Sequence, residues 1–225
     1  MTEVVILGAG GAAREACWLL QEDSLHSNKW KVLGFVDDNS ALGGTSFCDV
    51  PVLGDFSWLR RNASKKFKAI CAVGNPRLRK QMVERAGALG VDFCTALHPS
   101  VMKSKWVEIG PGSLICAGSI LTTHVAIGPH VIVNVACTIS HDSVVGPYCN
   151  INPGCRIAGA VRLGEGVDLG MGTAVIQNKT VGEWSVIGAG AVITTDIPAN
   201  VTAVGVPCRV IKRREFSPAM CVVGA

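Results

Sequence analysis

Residues 109–128 read IGPGSLICAGSILTTHVAIG. Ile109, Ile115, Leu121 and Ile127 stand six apart. The count runs on unbroken through Val133, Ile139, Val145, Ile151, Ile157, Leu163, Leu169, Val175, Val181 and Ile187 to Ile193. Side chains repeat every two residues in a strand and about every 3.6 in a helix. Six is a multiple of two and not of 3.6, so the stretch predicts strands. A fixed six-residue period over this length is the signature of a parallel β-helix built from hexapeptide repeats.

A second column lies two residues before the first. It holds Val107, Ser113, Ser119, Val125, Val131, Cys137, Ser143, Cys149, Cys155, Val161, Val167, Thr173, Lys179, Ser185 and Ala191. Only Lys179 is neither small nor β-branched. Residues two apart on a strand share a face, so a large and a small side chain point inward together, as a narrow prism needs. A third column, Gly110, Gly128, Gly146, Gly164 and Gly182, recurs every eighteen residues. One coil is therefore a triangle of three hexads. These glycines read as corners that are crowded or need positive φ. Coils lie about 4.8 Å apart, and residues eighteen apart stack. With no slip in the count, no long loop leaves the prism between residues 107 and 194.

The first part of the chain has another rhythm. Strands are expected at 3–7, 31–36, near Val52, at 69–74 and at 93–96, with helices at 12–20, 56–61 and 78–89. Such alternation implies a parallel sheet flanked by helices, a Rossmann-like half domain. Gly8, Gly10 and Gly11 fall between the first strand and helix, where backbone amides can meet a phosphate. Asp37 and Asp38 end the second strand, where carboxylates can accept from ribose hydroxyls, and Asn75 follows the AICAVG strand on the same edge. Fewer than a hundred residues precede the repeat, room for one mononucleotide half. A nucleotide or nucleotide-sugar fits better than NAD. The competing reading is that the glycines only make turns.

The net charge of +4 is mild and scattered, which argues against nucleic acid as a partner. No apolar run approaches the ~18 residues of a membrane span. The start MTEVVILGAG carries an acidic residue and enters a strand pattern directly, unlike a signal peptide. The ten cysteines form no CxxC pair and several fill the small inward column. They read as reduced packing residues of a cytoplasmic protein.

Of the five histidines, His98 reads as structural and His26 as an exposed loop residue. In the repeat, His124 stacks with Trp106 and Asp142, and His130 with Gly112 and Tyr148, by the eighteen-residue rule. No two histidines share a column, which disfavours the rival reading, a catalytic zinc. Asp142 is placed to pair with His124. His141 stacks between Thr123 and Gly159, both small, and has a carboxylate beside it. It is a candidate general base, with an ordinary surface histidine as the alternative.

The ordered set VVILGAGG, GFVDDN, AVGNPRLR, HPS, ISHDSVVG and VGVPCRVIK resembles the bacterial hexapeptide-class sugar O- and N-acetyltransferases that act on sialic acid, bacillosamine and perosamine. The resemblance covers nearly the whole chain. It implies an α/β domain over 1–97, a left-handed parallel β-helix over 98–212 and a tail over 213–225. It implies a homotrimer with active sites between subunits. Acetyl-CoA is the co-substrate, with no permanently bound cofactor and no metal. The acceptor is the amine of a nucleotide-linked amino-deoxy sugar, GDP-perosamine at C4 being favoured. His141 becomes the base and Asp142 the carboxylate that raises its basicity. Gly8, Gly10, Gly11, Arg14, Asp37, Asp38 and Asn75 hold the nucleotide-sugar. Asn150 stands where relatives often carry a second histidine near the acetyl group. Gly159, Ala189, Pro207, Arg209 and Lys212 meet CoA. The other readings are transfer to a hydroxyl or to a UDP- or CMP-linked sugar, a non-enzymatic nucleotide-binding protein, and a small NAD oxidoreductase.

Overall fold

A computed structural model describes residues 1–214. The expectations for the tail fall outside these residues, apart from Arg213 and Arg214. The described chain divides into two compact units, residues 1–99 and residues 100–214.

The first unit is a six-stranded sheet. Its strands are β1 (Thr2–Leu7), β2 (Trp30–Val36), β3 (Ser46–Phe47), β4 (Val50–Gly54), β5 (Lys68–Cys71) and β6 (Asp92–Phe93), in the order β3-β4-β2-β1-β5-β6. All neighbours are parallel except β3 and β4, which form a hairpin. The central β1 buries Val4, Val5, Ile6 and Leu7 completely, as a strand covered on both faces should. Helices α1 (Gly11–Ser27), α2 (Phe56–Asn62) and α3 (Pro76–Gly87) complete the unit.

Helix α1 runs seven residues past the expected end at Leu20. Polar residues continue it until Asn28 adopts φ 52° and donates its N–H to the Ser24 carbonyl, a left-handed C-cap. His26 is thus in the last helical turn, not a loop, though it is exposed. The short hairpin strand β3 and a 3-10 turn at Ser40–Leu42 carry too few residues to show a period.

In the second unit, fifteen two-residue strands follow one another from Glu108–Ile109 to Val192–Ile193. The first twelve each pair in parallel with the strand eighteen residues on, as in Leu114↔Ile132, Ile120↔Thr138 and Ala126↔Val144. Three flat faces result, and the product is a parallel β-helix. The six-residue column fills its core. Every member from Ile115 to Ile193 is at most 4% exposed, and only Ile109 is half-buried. The small inward column is buried except at Lys179, the position that broke its pattern. The last coil closes with an antiparallel hairpin of Val201–Val204 and Arg209–Arg213.

Two corner requirements fall on different residues. Gly110, Gly128, Gly146, Gly164 and Gly182 have no positive φ; they are crowded. A Cβ on Gly146 would lie 2.7 Å from the Gly164 carbonyl carbon of the next coil. The left-handed position lies two residues further along. From residue 112 to residue 190, every sixth residue has φ between 54° and 75°, and eight of these fourteen are not glycine. Asp142 is one of them, with φ 61°. Aspartate tolerates this region better than most residues.

Candidate active site

His141 and Asp142 share a corner of the prism. Asp142 sits in the left-handed slot and donates its N–H to the Thr123 carbonyl of the preceding coil at 3.2 Å. Its carboxylate turns to its own neighbour, and Oδ2 lies 2.8 Å from His141 Nδ1. The pairing with His124 expected from the columns is not formed, because the carboxylate reaches the adjacent imidazole first. Nδ1–H therefore donates to Asp142, which leaves Nε2 as the acceptor nitrogen. Nε2 carries no bond to any described residue. Both side chains are about 60% exposed, at 61% and 62%.

Gly159 explains how the ring is held. A Cβ there would fall 2.4 Å from His141 Cε1 and 2.6 Å from Nε2. The imidazole occupies the space that a Gly159 side chain would fill, the room that the stacking rule left beside it. The other repeat histidines follow their columns. His124 stacks on Trp106 (centroids 5.6 Å, interplanar 12°) and its Nδ1 is 2.9 Å from the Thr123 hydroxyl. His130 stacks on Tyr148 (5.4 Å, 7°) and covers Gly112. His98 packs on Trp18 at 5.0 Å.

The expected CoA residues do not gather around His141 within one prism. Gly159 does, one coil above it. Ala189 is exposed in the column of Met171 and Pro153, at another corner. Asn150 is half a coil away and buried, between Ile132 and Asp168 on a flat face. Pro207, after a cis peptide, and Arg209 and Lys212 belong to the closing hairpin. Arg209 donates to the Cys208 carbonyl at 2.9 Å.

In the first unit the glycine loop is open. Gly8 has φ +97°, and nothing lies within 4 Å of a Cβ placed on Gly10 or Gly11. Gly10 is the N-cap of α1 and supplies no side-chain cap, which suits anion binding at a helix N-terminus. The polar partners at this edge also hold the fold. Asp37 accepts from Ala9 N–H (2.8 Å) and Asn39 N–H (2.9 Å). Asp38 accepts from Phe56 N–H (2.8 Å) and meets Arg85 at 3.4 Å. Asn75 caps α3 through Arg77 and Leu78 N–H, and Arg14 stacks its guanidinium on Phe47. Asp37 and Asp38 line a cavity of about 350 Å³ with Asn39, Ser40, Asp55 and Arg61.

One residue of this edge was missed. Arg79 is completely buried and donates to the Val73 carbonyl at 2.6 Å, fixing the loop after β5. The helical period contained the signal: Arg79, Met82, Val83 and Ala86 form the buried face of α3.

Eight of nine cysteines among the described residues are buried. Burial pushes the thiols of Cys17 and Cys71 up to about 12, where no useful thiolate forms near neutrality. No described helix is long and apolar enough to cross a membrane.

Residues 3–86 match the family described as PglD N-terminal domain. The whole fold is similar to a mutant of perosamine N-acetyltransferase from Caulobacter crescentus, solved in complex with CoA and GDP-perosamine. The identity is 31%, covering 94% of this chain and 97% of that one, with a TM-score of 0.87. The acetyltransferase domain of PglB from Neisseria gonorrhoeae, solved with acetyl coenzyme A, is 31% identical over 93% of this chain and 98% of that chain, with a TM-score of 0.83. Curated relatives match over short stretches that span 14% and 22% of their own lengths. One is UDP-N-acetylbacillosamine N-acetyltransferase of Bacillus subtilis, 48% identical over 48 residues, 21% of this chain. An unbroken hexapeptide prism, the PglD-type first domain and near-complete coverage of a solved sugar N-acetyltransferase agree: the chain belongs to the hexapeptide-repeat sugar acetyltransferases.

Proposed function

We propose that the protein transfers an acetyl group from acetyl-CoA to the amine of a nucleotide-linked amino-deoxy sugar, with GDP-perosamine at C4 as the acceptor. The observation that carries this reading is the His141 corner. The imidazole is held by Asp142 on one nitrogen and by the Gly159 backbone beneath it, and the other nitrogen is open. The Caulobacter relative, solved with CoA and GDP-perosamine, supports the choice of donor and acceptor.

An ammonium has no lone pair, so the amine attacks the thioester carbonyl as the free base. As the C–N bond forms, His141 Nε2 removes the proton from the nitrogen, and Asp142 stabilises the resulting imidazolium. A hydrogen-bond donor, either a backbone N–H or the Asn150 amide of a neighbouring prism, meets the oxyanion. The tetrahedral intermediate then expels the CoA thiolate, which takes the proton from His141. Protons balance without a metal or an acyl-enzyme.

The first domain holds the nucleotide, with its phosphates on the amides after Gly10 and its ribose at Asp37 and Asp38. The CoA arm runs along Gly159 of one prism and Ala189 of the next, towards Arg209 and Lys212. This arrangement needs more than one copy of the chain; we take the assembly to be a homotrimer and place the enzyme in the cytoplasm. The test is a mixture of the protein, acetyl-CoA and a panel of GDP-, UDP- and CMP-linked amino sugars, read by mass spectrometry. Acetylated GDP-perosamine is expected. An acetyl gain on a UDP- or CMP-linked sugar alone would replace the acceptor, and no gain on any would remove the activity.

A further inference from the structure

Trp106, His124 and Asp142 occupy one corner column, eighteen residues apart. The proposed chemistry uses the Asp142 level and leaves the two aromatic rings below it without a role. Trp106 is 55% exposed. His124 lies nearly parallel on it, at 5.6 Å and 12°, and its Nδ1 is tied to the Thr123 hydroxyl. The ring is thus fixed in a plane across the column. One coil above, His141 leans the other way, onto Gly159. The two imidazoles therefore engage coils on opposite sides of the pair, His124 the coil of Trp106 and His141 the coil of Gly159.

We propose that His124, propped by Trp106, is the floor of the acceptor-sugar subsite whose roof is His141. An aromatic ring presents an apolar face, which suits the C–H face of a pyranose. A sugar lying on His124 carries its ring amine up towards His141 Nε2. Charge complementarity supports this occupant. Lys105 Nζ sits 4.8 Å from the Trp106 ring centre, and Lys103 is exposed on the same coil. The positive field of these cations favours a sugar that carries phosphate charge over a neutral one. The placing of the amine rests on the acetyl-transfer reading; the binding of the sugar does not.

The experiment compares His124→Ala, Trp106→Ala and His124→Phe with the parent. Calorimetric titration with GDP and with GDP-perosamine reads binding apart from turnover. Both alanine variants are expected to weaken GDP-perosamine about tenfold, in line with the loss of one good ring contact, and to leave GDP unchanged. KM for the amino sugar rises by the same factor, while KM for acetyl-CoA stays fixed. His124→Phe keeps near-parental affinity, since it keeps the ring face, and near-parental kcat, which a proton-transfer role would not survive. Unchanged GDP-perosamine affinity in both alanine variants, an equal loss for GDP, or a change of assembly by light scattering overturns the proposal. A parent that binds GDP-perosamine with the expected variant pattern yet transfers no acetyl group supports the floor and removes the acetyl reading instead.

Discussion

His141 keeps its orientation through two neighbours that act in different ways. Asp142 fixes the tautomer by accepting from Nδ1, and Gly159 fixes the plane by having no side chain. His141→Asn is expected to bind nucleotide-sugar normally and lose about 10²–10⁴-fold in kcat, the range of general-base catalysis, measured by steady-state kinetics beside calorimetry. Asp142→Asn removes an orienting partner and should lower kcat about 10- to 100-fold. Gly159→Ala places a methyl 2.4 Å from Cε1 and must displace the ring. We expect turnover to fall as far as in His141→Asn while circular dichroism stays unchanged. Turnover near the parent's would show that the ring need not lie there. The SHD run and its spacing singled out His141 and Asp142 as candidates. Their mutual bond was not, because a column predicts which backbones stack and says nothing of side-chain rotamers.

The corners of the prism contain two kinds of exceptional residue, and they should fail differently. Gly146→Ala drives a methyl into Gly164 and Glu165 backbone at 2.7 and 2.9 Å. Backbone held on both sides cannot yield, so destabilisation of about 1–3 kcal/mol is expected, read as a fall in melting temperature. Gly172 has φ +68° and open space around its Cα. Gly172→Asn should cost no more than about 1 kcal/mol, since Asn178 already occupies the matching slot at φ 59°. In the first unit, the Ser57 hydroxyl and then its N–H hold the Asp55 carboxyl below its ordinary 3.8. That N-cap stabilises α2 above the ordinary value and loses its effect as pH falls through the lower folded one. The stability gap between the parent and Asp55→Ala should therefore shrink from pH 6 to pH 3 in denaturant titrations. The glycine column was visible in the sequence, but the left-handed column was not, since eight of its fourteen residues are not glycine.

At the scale of the molecule, His141 and Ala189 lie at different corners of a single prism. If both serve one CoA, they come from two copies. Ala189→Trp blocks one side of the site and His141→Asn the other, and each homotrimer should be inactive. Co-refolded mixtures should regain activity, because some mixed trimers contain a site with both sides intact. Mixtures as inactive as their parents would place the whole site on one chain. Light scattering of the parent should give the mass of three chains.

The sequence by itself determined the prism. A strict six-residue period leaves one regular way to bury fifteen aliphatic side chains, and an eighteen-residue glycine column sets the coil. It also determined the strand–helix alternation of the first domain, because buried parallel strands read as short apolar runs. Handedness entered through the family, since a period of six is the same in either hand. Only the tertiary structure decided that Asp142 turns to His141 and that Arg79 lies inside as a loop anchor. It alone set the His141 ring on Gly159 and the His124 ring on Trp106. These depend on rotamers and on contacts between coils, which are settled by the space and the polar partners that neighbouring coils leave.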